Sequence, residues 1–221
     1  MSAPAPAPAE PYVPAKSGDQ VKTVAIGSDH AGFDMKNMLA AAMREGLLGQ
    51  QYEVKDCGTY NAIDLSTMPP KNVVDYPDYG VLVGRAVSEG DADLGVCVCG
   101  SGIGIGMAAN KVNGVRAATV NGEGAPQMAG ATRKHNDACN DANVICFGKS
   151  YITPELAQEA LKNFLSTKFE GNYHTGRVEK LVRLDVPYGR VSTEKMSPNV
   201  TETKGVCSCI LTFLLRCVPH K

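Results

Sequence analysis

The stretch from Leu94 to Gly106 constrains this chain more than any other. Six residues without a charge or a hydrogen-bonding side chain of any strength (Leu-Gly-Val-Cys-Val-Cys) run directly into Gly-Ser-Gly-Ile-Gly-Ile-Gly. A strand that is apolar at every position cannot have one face in water, so it must be covered on both sides. That is the environment of a parallel sheet with helical crossovers.

Four further short runs fit the same sheet: Thr23–Gly27, Tyr52–Asp56, Val115–Val120 and Val144–Phe147. Helical spacing falls between them, over Met35–Arg44, Tyr79–Val87, Met107–Lys111 and, opened by Pro154 in a first turn, through Leu165. The expected architecture is a single α/β domain, Rossmann-like and doubly wound, with a five-stranded parallel sheet. Its bounds read as 21–185. Residues 1–20 form an Ala/Pro-rich tail expected to be flexible, 61–74 an irregular insertion, and 186–221 a C-terminal extension. The apolar segment in that extension, Val206–Leu215, is too short to span a bilayer; docking on the domain, pairing with another chain and lipid on Cys207 and Cys209 stay open.

The formal net charge of -1 gives no electrostatic footprint for nucleic acid, so an anionic ligand needs a local site. The eight cysteines include no C-x-x-C pair, and Cys97, Cys99 and Cys146 sit inside apolar runs. This reads as the reduced cysteine of a cytoplasmic protein, without a zinc pattern and without a redox dithiol.

In such folds ligands collect outside the carboxyl ends of the strands. The loops there are Ser28–Gly32, Cys99–Gly104, Asn121–Gly124 and the residues after Phe147. Gly100, Gly102, Gly104 and Gly106 alternate between a strand and a helix, where bare N–H groups can bind a phosphate or steady an oxyanion. The spacing is not the dinucleotide fingerprint, and Val120 is followed by Asn121 instead of an acid. Cys99 closes the strand at the mouth of this loop, where a thiol can act as a general base, with the Ser101 hydroxyl two residues on. Asp29-His30 and His135-Asn136 are weak signals singly and gain weight from this company.

As a set these residues resemble type B ribose-5-phosphate isomerases, grouped with the galactose-6-phosphate isomerases. The resemblance rests on Ser28-Asp-His-Ala-Gly32, Asp75-Tyr76-Pro77, Cys99-Gly-Ser-Gly-Ile-Gly104, Asn110-Lys111 and His135-Asn-Asp137, over roughly residues 22 to 183. It implies a homodimer with active sites built from both subunits, a small phosphorylated sugar as substrate, and no cofactor or metal. By resemblance Cys99 is the base between C1 and C2, the loop from Gly100 to Gly104 holds the enediolate oxygens with Ser101 assisting, and His135 helps open the ring. Asp29, Tyr76 and Asn136 contact sugar hydroxyls, and His30 lies near the phosphate. Some relatives use a Glu in the glycine loop instead; Ile103 and Ile105 stand there here.

Three departures follow from the same comparison. Ser150 and Tyr173 occupy places where the family often carries Arg, which leaves phosphate to Arg177 and His30, helped by Lys149, His174 or Arg116. The run His135-Asn-Asp-Ala-Cys-Asn-Asp-Ala-Asn143 looks like a four-residue duplication, so Asn140 is an alternative to Asn136. Two other functions stay open: isomerisation of another phosphosugar, such as galactose 6-phosphate or a tetrose phosphate, and a non-catalytic nucleotide- or sugar-phosphate-binding module.

Overall fold

A computed structural model describes residues 12–133 and 140–185. Strands β1 (Thr23–Ser28), β2 (Glu53–Asp56), β3 (Leu94–Cys99), β4 (Ala117–Thr119) and β5 (Val144–Gly148) form one sheet in the order β2-β1-β3-β5-β4. Every pairing is parallel. The connections are α1 (Phe33–Gly46), α2 (Tyr76–Ser88), α3 (Ile103–Ala109) and α4 (Ala125–Ala131); α5 (Pro154–Ser166) and α6 (Thr175–Arg183) follow β5.

The sheet buries both faces. On one, Val24, Ile26, Val96, Val98 and Phe147 pack under α1, α4 and α5. On the other, Ala25, Cys97, Cys99 and Cys146 pack under α2 and α3. β3 lies at the centre with all six residues buried, which is why its sequence is apolar throughout. α5 follows its local signals: Pro154 sits in the first turn and the Thr153 hydroxyl accepts from the Leu156 N–H at 3.3 Å.

Three sequence expectations need correction. α3 starts at Ile103, not at Met107, so Gly104 and Gly106 are helical. A side chain at Gly104 would meet the Tyr76 ring at 2.7 Å, and one at Gly106 the Thr119 hydroxyl at 2.9 Å. Close packing, not loop chemistry, requires these two glycines, and it overrides their poor helix propensity. β4 is only three residues long, and α4, built from small residues around Pro126, follows no apolar stripe that would mark it.

The third concerns the N-terminal tail, which is bound to the domain from Tyr12 onward. The Tyr12 hydroxyl donates to Asp141 Oδ2 at 2.5 Å, and the Ala15 N–H donates to the same oxygen at 2.8 Å. Arg133 Nη2 donates to the carbonyls of Ala15 and Lys16, and Gly18–Gln20 forms a 3-10 turn. The Tyr12 ring stands edge-on to Phe169, with centroids 6.3 Å apart. A buried carboxylate and guanidinium supply partners that composition alone does not reveal. Residues 61–74 form no helix or strand and are pinned by a bridge between Asp64 and Lys71. The remainder of the tail and the 186–221 extension lie outside the described residues.

Asp141 is fully buried between Arg116, at 3.1 Å, and Arg133, at 3.9 Å. Removing it strands buried positive charge, so Asp141→Ala should cost about 3–5 kcal/mol in urea denaturation. A loss within ~0.5 kcal/mol would show that the cluster does not hold the N-terminal segment.

Candidate active site

β1 and β3 are adjacent, yet the chain leaves β1 for α1 on one face and β3 for α3 on the other. The crevice between their carboxyl ends is the switch point of the sheet, where open α/β folds bind ligands. Asp29 and His30 enter it from β1, Cys99 and the glycine turn from β3.

Cys99 is 4% exposed, and the Gly102 N–H points at its Sγ from 3.1 Å. The turn is set by Gly102, whose φ of +77° lies in the left-handed region and whose α-carbon faces the Phe147 carbonyl too closely for a side chain. It is clamped to β5 on several sides. The Lys149 N–H donates to the Cys99 carbonyl at 2.9 Å and the Ser150 N–H to the Gly100 carbonyl at 3.1 Å. Asn121 bridges the two segments, donating to the Ser101 carbonyl at 2.9 Å and accepting from the Gly148 N–H at 2.8 Å. Asn121 was legible only as the residue after a strand; its bridging role needs the β4–β5 adjacency.

The Ser101 hydroxyl accepts from the Ile103 N–H at 3.3 Å, which orients it beside the first turn of α3. Gly100 has open space where a side chain would stand. Tyr76, at the start of α2, rests its ring on Gly104 and is 42% exposed. The hydrogen bond with Cys146, with burial added, pushes the Cys97 thiol well up, and burial pushes Cys57 up to about 11. Neither is suited to hold a thiolate near neutral pH.

Asp29 is 6% exposed and accepts from the Gly32 N–H at 3.0 Å. Burial raises its pKa above the ordinary carboxylate value, against the Gly32 N–H and the charges of His30 and Lys149, which lower it. His30 Nδ1 lies 2.9 Å from the Val74 carbonyl oxygen, which ties the end of the insertion to the site and leaves Nε2 for a ligand.

The remaining candidates stand elsewhere. Arg177 is on α6, its guanidinium 5.2 Å from the Tyr173 ring. α6 packs through Val178 and Val182 with Phe169 and Tyr12, and Asp185 just past it accepts from the Gly114 N–H, ahead of β4. That is the amino edge of the sheet, opposite Cys99. Arg116, an expected helper for phosphate, is instead spent at that edge on Asp141 and the Gly114 carbonyl. His174 is 3% exposed and stacked on Tyr173, with ring centroids 4.0 Å apart. His135 and Asn136 lie outside the described residues; Asn140, the alternative, is exposed at the same amino edge, its N–H donating to the Thr132 carbonyl. Among the described residues no group of three or more His, Cys, Asp or Glu side chains is placed to hold a metal ion.

The family model described as Ribose/Galactose Isomerase matches residues 24–181. The chain belongs to the ribose/galactose isomerase family. It is 34% identical over 165 residues to ribose-5-phosphate isomerase B of Escherichia coli, covering 75% of this chain and 97% of that protein. The structure of the Trypanosoma brucei type B ribose 5-phosphate isomerase superposes with a TM-score of 0.63 at 38% identity, over 74% of this chain and 99% of that one. A Mycoplasma genitalium ribose-5-phosphate isomerase B, solved with bound ribulose-5-phosphate, gives 0.61 at 33% identity, over 74% of this chain and 95% of that one. As a member of this isomerase family the chain is an aldose–ketose isomerase, with its matched core spanning β1 to α6. Residues 12–23, including the Tyr12 contact to Asp141, precede the matched region.

Asp29→Asn keeps the acceptor for Gly32 and removes a buried charge. Because the folded-state pKa of Asp29 is raised, its ionisation opposes folding as pH rises through that value. The variant should therefore be more stable than wild type at neutral pH, with the gain vanishing below the ordinary carboxylate range. Where Asp29 holds a substrate hydroxyl, kcat/KM should fall about 10- to 100-fold, through KM. Thermal melts and kinetics across pH check both; lower stability at neutral pH would contradict the assignment.

Proposed function

We propose that the protein interconverts ribose 5-phosphate and ribulose 5-phosphate through a cis-enediol, as a homodimer in which each site draws on both chains. The observation that carries the chemistry is the Gly102 N–H held 3.1 Å from the Cys99 sulfur in a crevice shared with Asp29. His135 of the partner subunit assists opening of the furanose. Cys99 then removes the proton from C2 of the open aldose. The electron pair forms the C1–C2 double bond, and the aldehyde π pair moves onto O1. N–H groups from Gly100 to Gly104, with the Ser101 hydroxyl, hold that oxyanion. Such a donor is worth about 3 kcal/mol in a site that excludes water. As O1 gains a proton and O2 gives one up, the Cys99 thiol returns its proton to C1, which leaves the ketose. Asp29, Tyr76 and Asn136 hold hydroxyls; His30 and Arg177 take the phosphate.

The assembly rests on a division of these residues. Cys99, Ser101, Asp29, His30 and Tyr76 are at the carboxyl edge of the sheet, whereas Arg177 and both flanks of the His135 segment, Arg133 and Asn140, are at the amino edge. The five residues of β5 separate the edges by about 15 Å. The hydrogen bond from the Asn140 N–H to the Thr132 carbonyl holds the two flanks together at that edge. A second copy supplies the missing half. The outer face of α3 carries Ile103 and Met107, 53% and 63% exposed, an apolar surface for that copy to cover.

Ser150 and Tyr173 favour a second reading, an isomerase for another phosphosugar such as galactose 6-phosphate or a tetrose phosphate, because bidentate phosphate donors are fewer here. On either reading, the unbridged thiols of Cys57, Cys97, Cys99 and Cys146 suit a cytoplasmic enzyme, and the ribose reading places it in the pentose phosphate pathway. No described helix is long and apolar enough to cross a membrane.

Turnover of a panel of aldose and ketose phosphates separates the substrates. Cys99→Ala should lose about 10²–10⁴-fold in rate while retaining substrate binding. Mixing and refolding Cys99→Ala with His135→Ala should restore roughly a quarter of wild-type activity, because one of the two sites in each mixed dimer is intact. No recovery from folded, mixed dimers would contradict the shared site.

A further inference from the structure

We propose that Lys36 is a positioning residue for Asp29, acting through Asp56, and that this pair sets the affinity for the sugar hydroxyls; the inference rests on Asp29 as a substrate contact. Lys36 lies on α1 with its side chain 1% exposed, and its ammonium meets both Asp56 oxygens, at 2.6 and 2.9 Å. The Phe33 and Tyr60 rings flank it at 5.8 and 5.9 Å. The proton transfers described above make no use of this pair.

Two chains of contact lead from it to Asp29. On the β2 side, Asp56 Oδ1 also accepts from the Gly58 N–H at 2.9 Å, and the Tyr60 hydroxyl donates to the Asp56 carbonyl at 3.0 Å. The segment so held pairs with Ser28, the residue before Asp29: the Ser28 N–H donates to the Gly58 carbonyl at 2.7 Å, and the Thr59 N–H to the Ser28 carbonyl at 2.8 Å. On the α1 side, the Lys36 N–H donates to the Gly32 carbonyl at 2.9 Å, and the Gly32 N–H donates to Asp29 Oδ1 at 3.0 Å. Asp29 is thus suspended between a strand end and a helix start, and Lys36–Asp56 is the cross-brace between them.

Stability gives little reason for an ion pair here. A buried lysine and its carboxylate seldom outperform a well-packed apolar pair, because desolvation offsets their attraction. What such a pair provides is direction: a bidentate contact fixes the relative placement of α1 and the β2 end, which two apolar side chains would leave free to slide.

The test is a kinetic cycle with ribose 5-phosphate, or with the panel sugar phosphate turned over fastest. Lys36→Met should raise KM about tenfold while kcat stays within about threefold, since a misplaced hydroxyl contact loses binding shared by ground and transition states. In the Asp29→Asn background the same change should move KM by less than about twofold, because its target is gone. Lys36→Met with Asp56→Leu, which leaves no unpaired charge, should melt at or above the wild-type temperature and still show the raised KM. That double variant carries the test if Lys36→Met alone does not fold. A wild-type KM in the double variant, or equal effects of Lys36→Met with and without Asp29, would overturn the proposal. An Asp29→Asn variant with unchanged KM would instead remove Asp29 from the substrate, and this inference with it.

Discussion

The close approach of the β3 turn to the end of β5 is the contact on which the site depends. A side chain at Gly148 would stand 2.3 Å from the Ser101 carbonyl oxygen, so the two backbones touch with nothing between them. That contact forces Gly102 into its left-handed conformation, turns its N–H onto Cys99 and starts α3 at Ile103. Lys149, Ser150 and Asn121 then lock the turn with hydrogen bonds from just past β5 and just past β4. These bonds within the chain fix the shape of the loop, which is the preorganisation oxyanion stabilisation requires.

A parallel sheet has two unlike edges, and the candidate residues divide between them. The carboxyl edge collects the thiol, the glycine turn, Asp29 and Tyr76; the amino edge holds α6 with Arg177 and the buried Arg133–Asp141–Arg116 cluster. Within one chain a phosphate bound at Arg177 could not place its sugar carbons at Cys99. The proposed dimer resolves this by bringing the amino edge of one copy to the carboxyl edge of the other. The Tyr12 segment stiffens the half that carries the cationic group, since it ties Asp141 to Phe169 and so to α6.

Much of the sheet was legible because burial on both faces leaves an unmistakable apolar run: β3 was readable to the residue, and β5 to within one. α5 was readable through Pro154 and its period. α3 was not, because its glycines answer to Tyr76 and Thr119, neighbours distant in sequence. The N-terminal segment was missed for the same reason, since its partners Asp141 and Arg133 lie more than a hundred residues away. Of the candidate site, Asp29 and His30 follow β1 and Cys99 and Ser101 lie at the end of the adjacent β3, whereas Tyr76 opens α2 against Gly104. Arg116 looked like a free cation in sequence and is consumed by a buried carboxylate. Lys36 and Asp56 carried no motif at all; only the fold brings them together.

The central claim is that a buried thiol moves a carbon-bound proton, and solvent exchange tests it most directly. Isomerisation run in deuterated water and followed by NMR should place deuterium at C1 of ribulose 5-phosphate and at C2 of ribose 5-phosphate, because the proton held on Cys99 can exchange before it is returned. Cys99→Ala should bind the sugar phosphate and exchange nothing. Full retention of the original hydrogen in a turning-over wild type, or exchange undiminished in Cys99→Ala, would contradict the account.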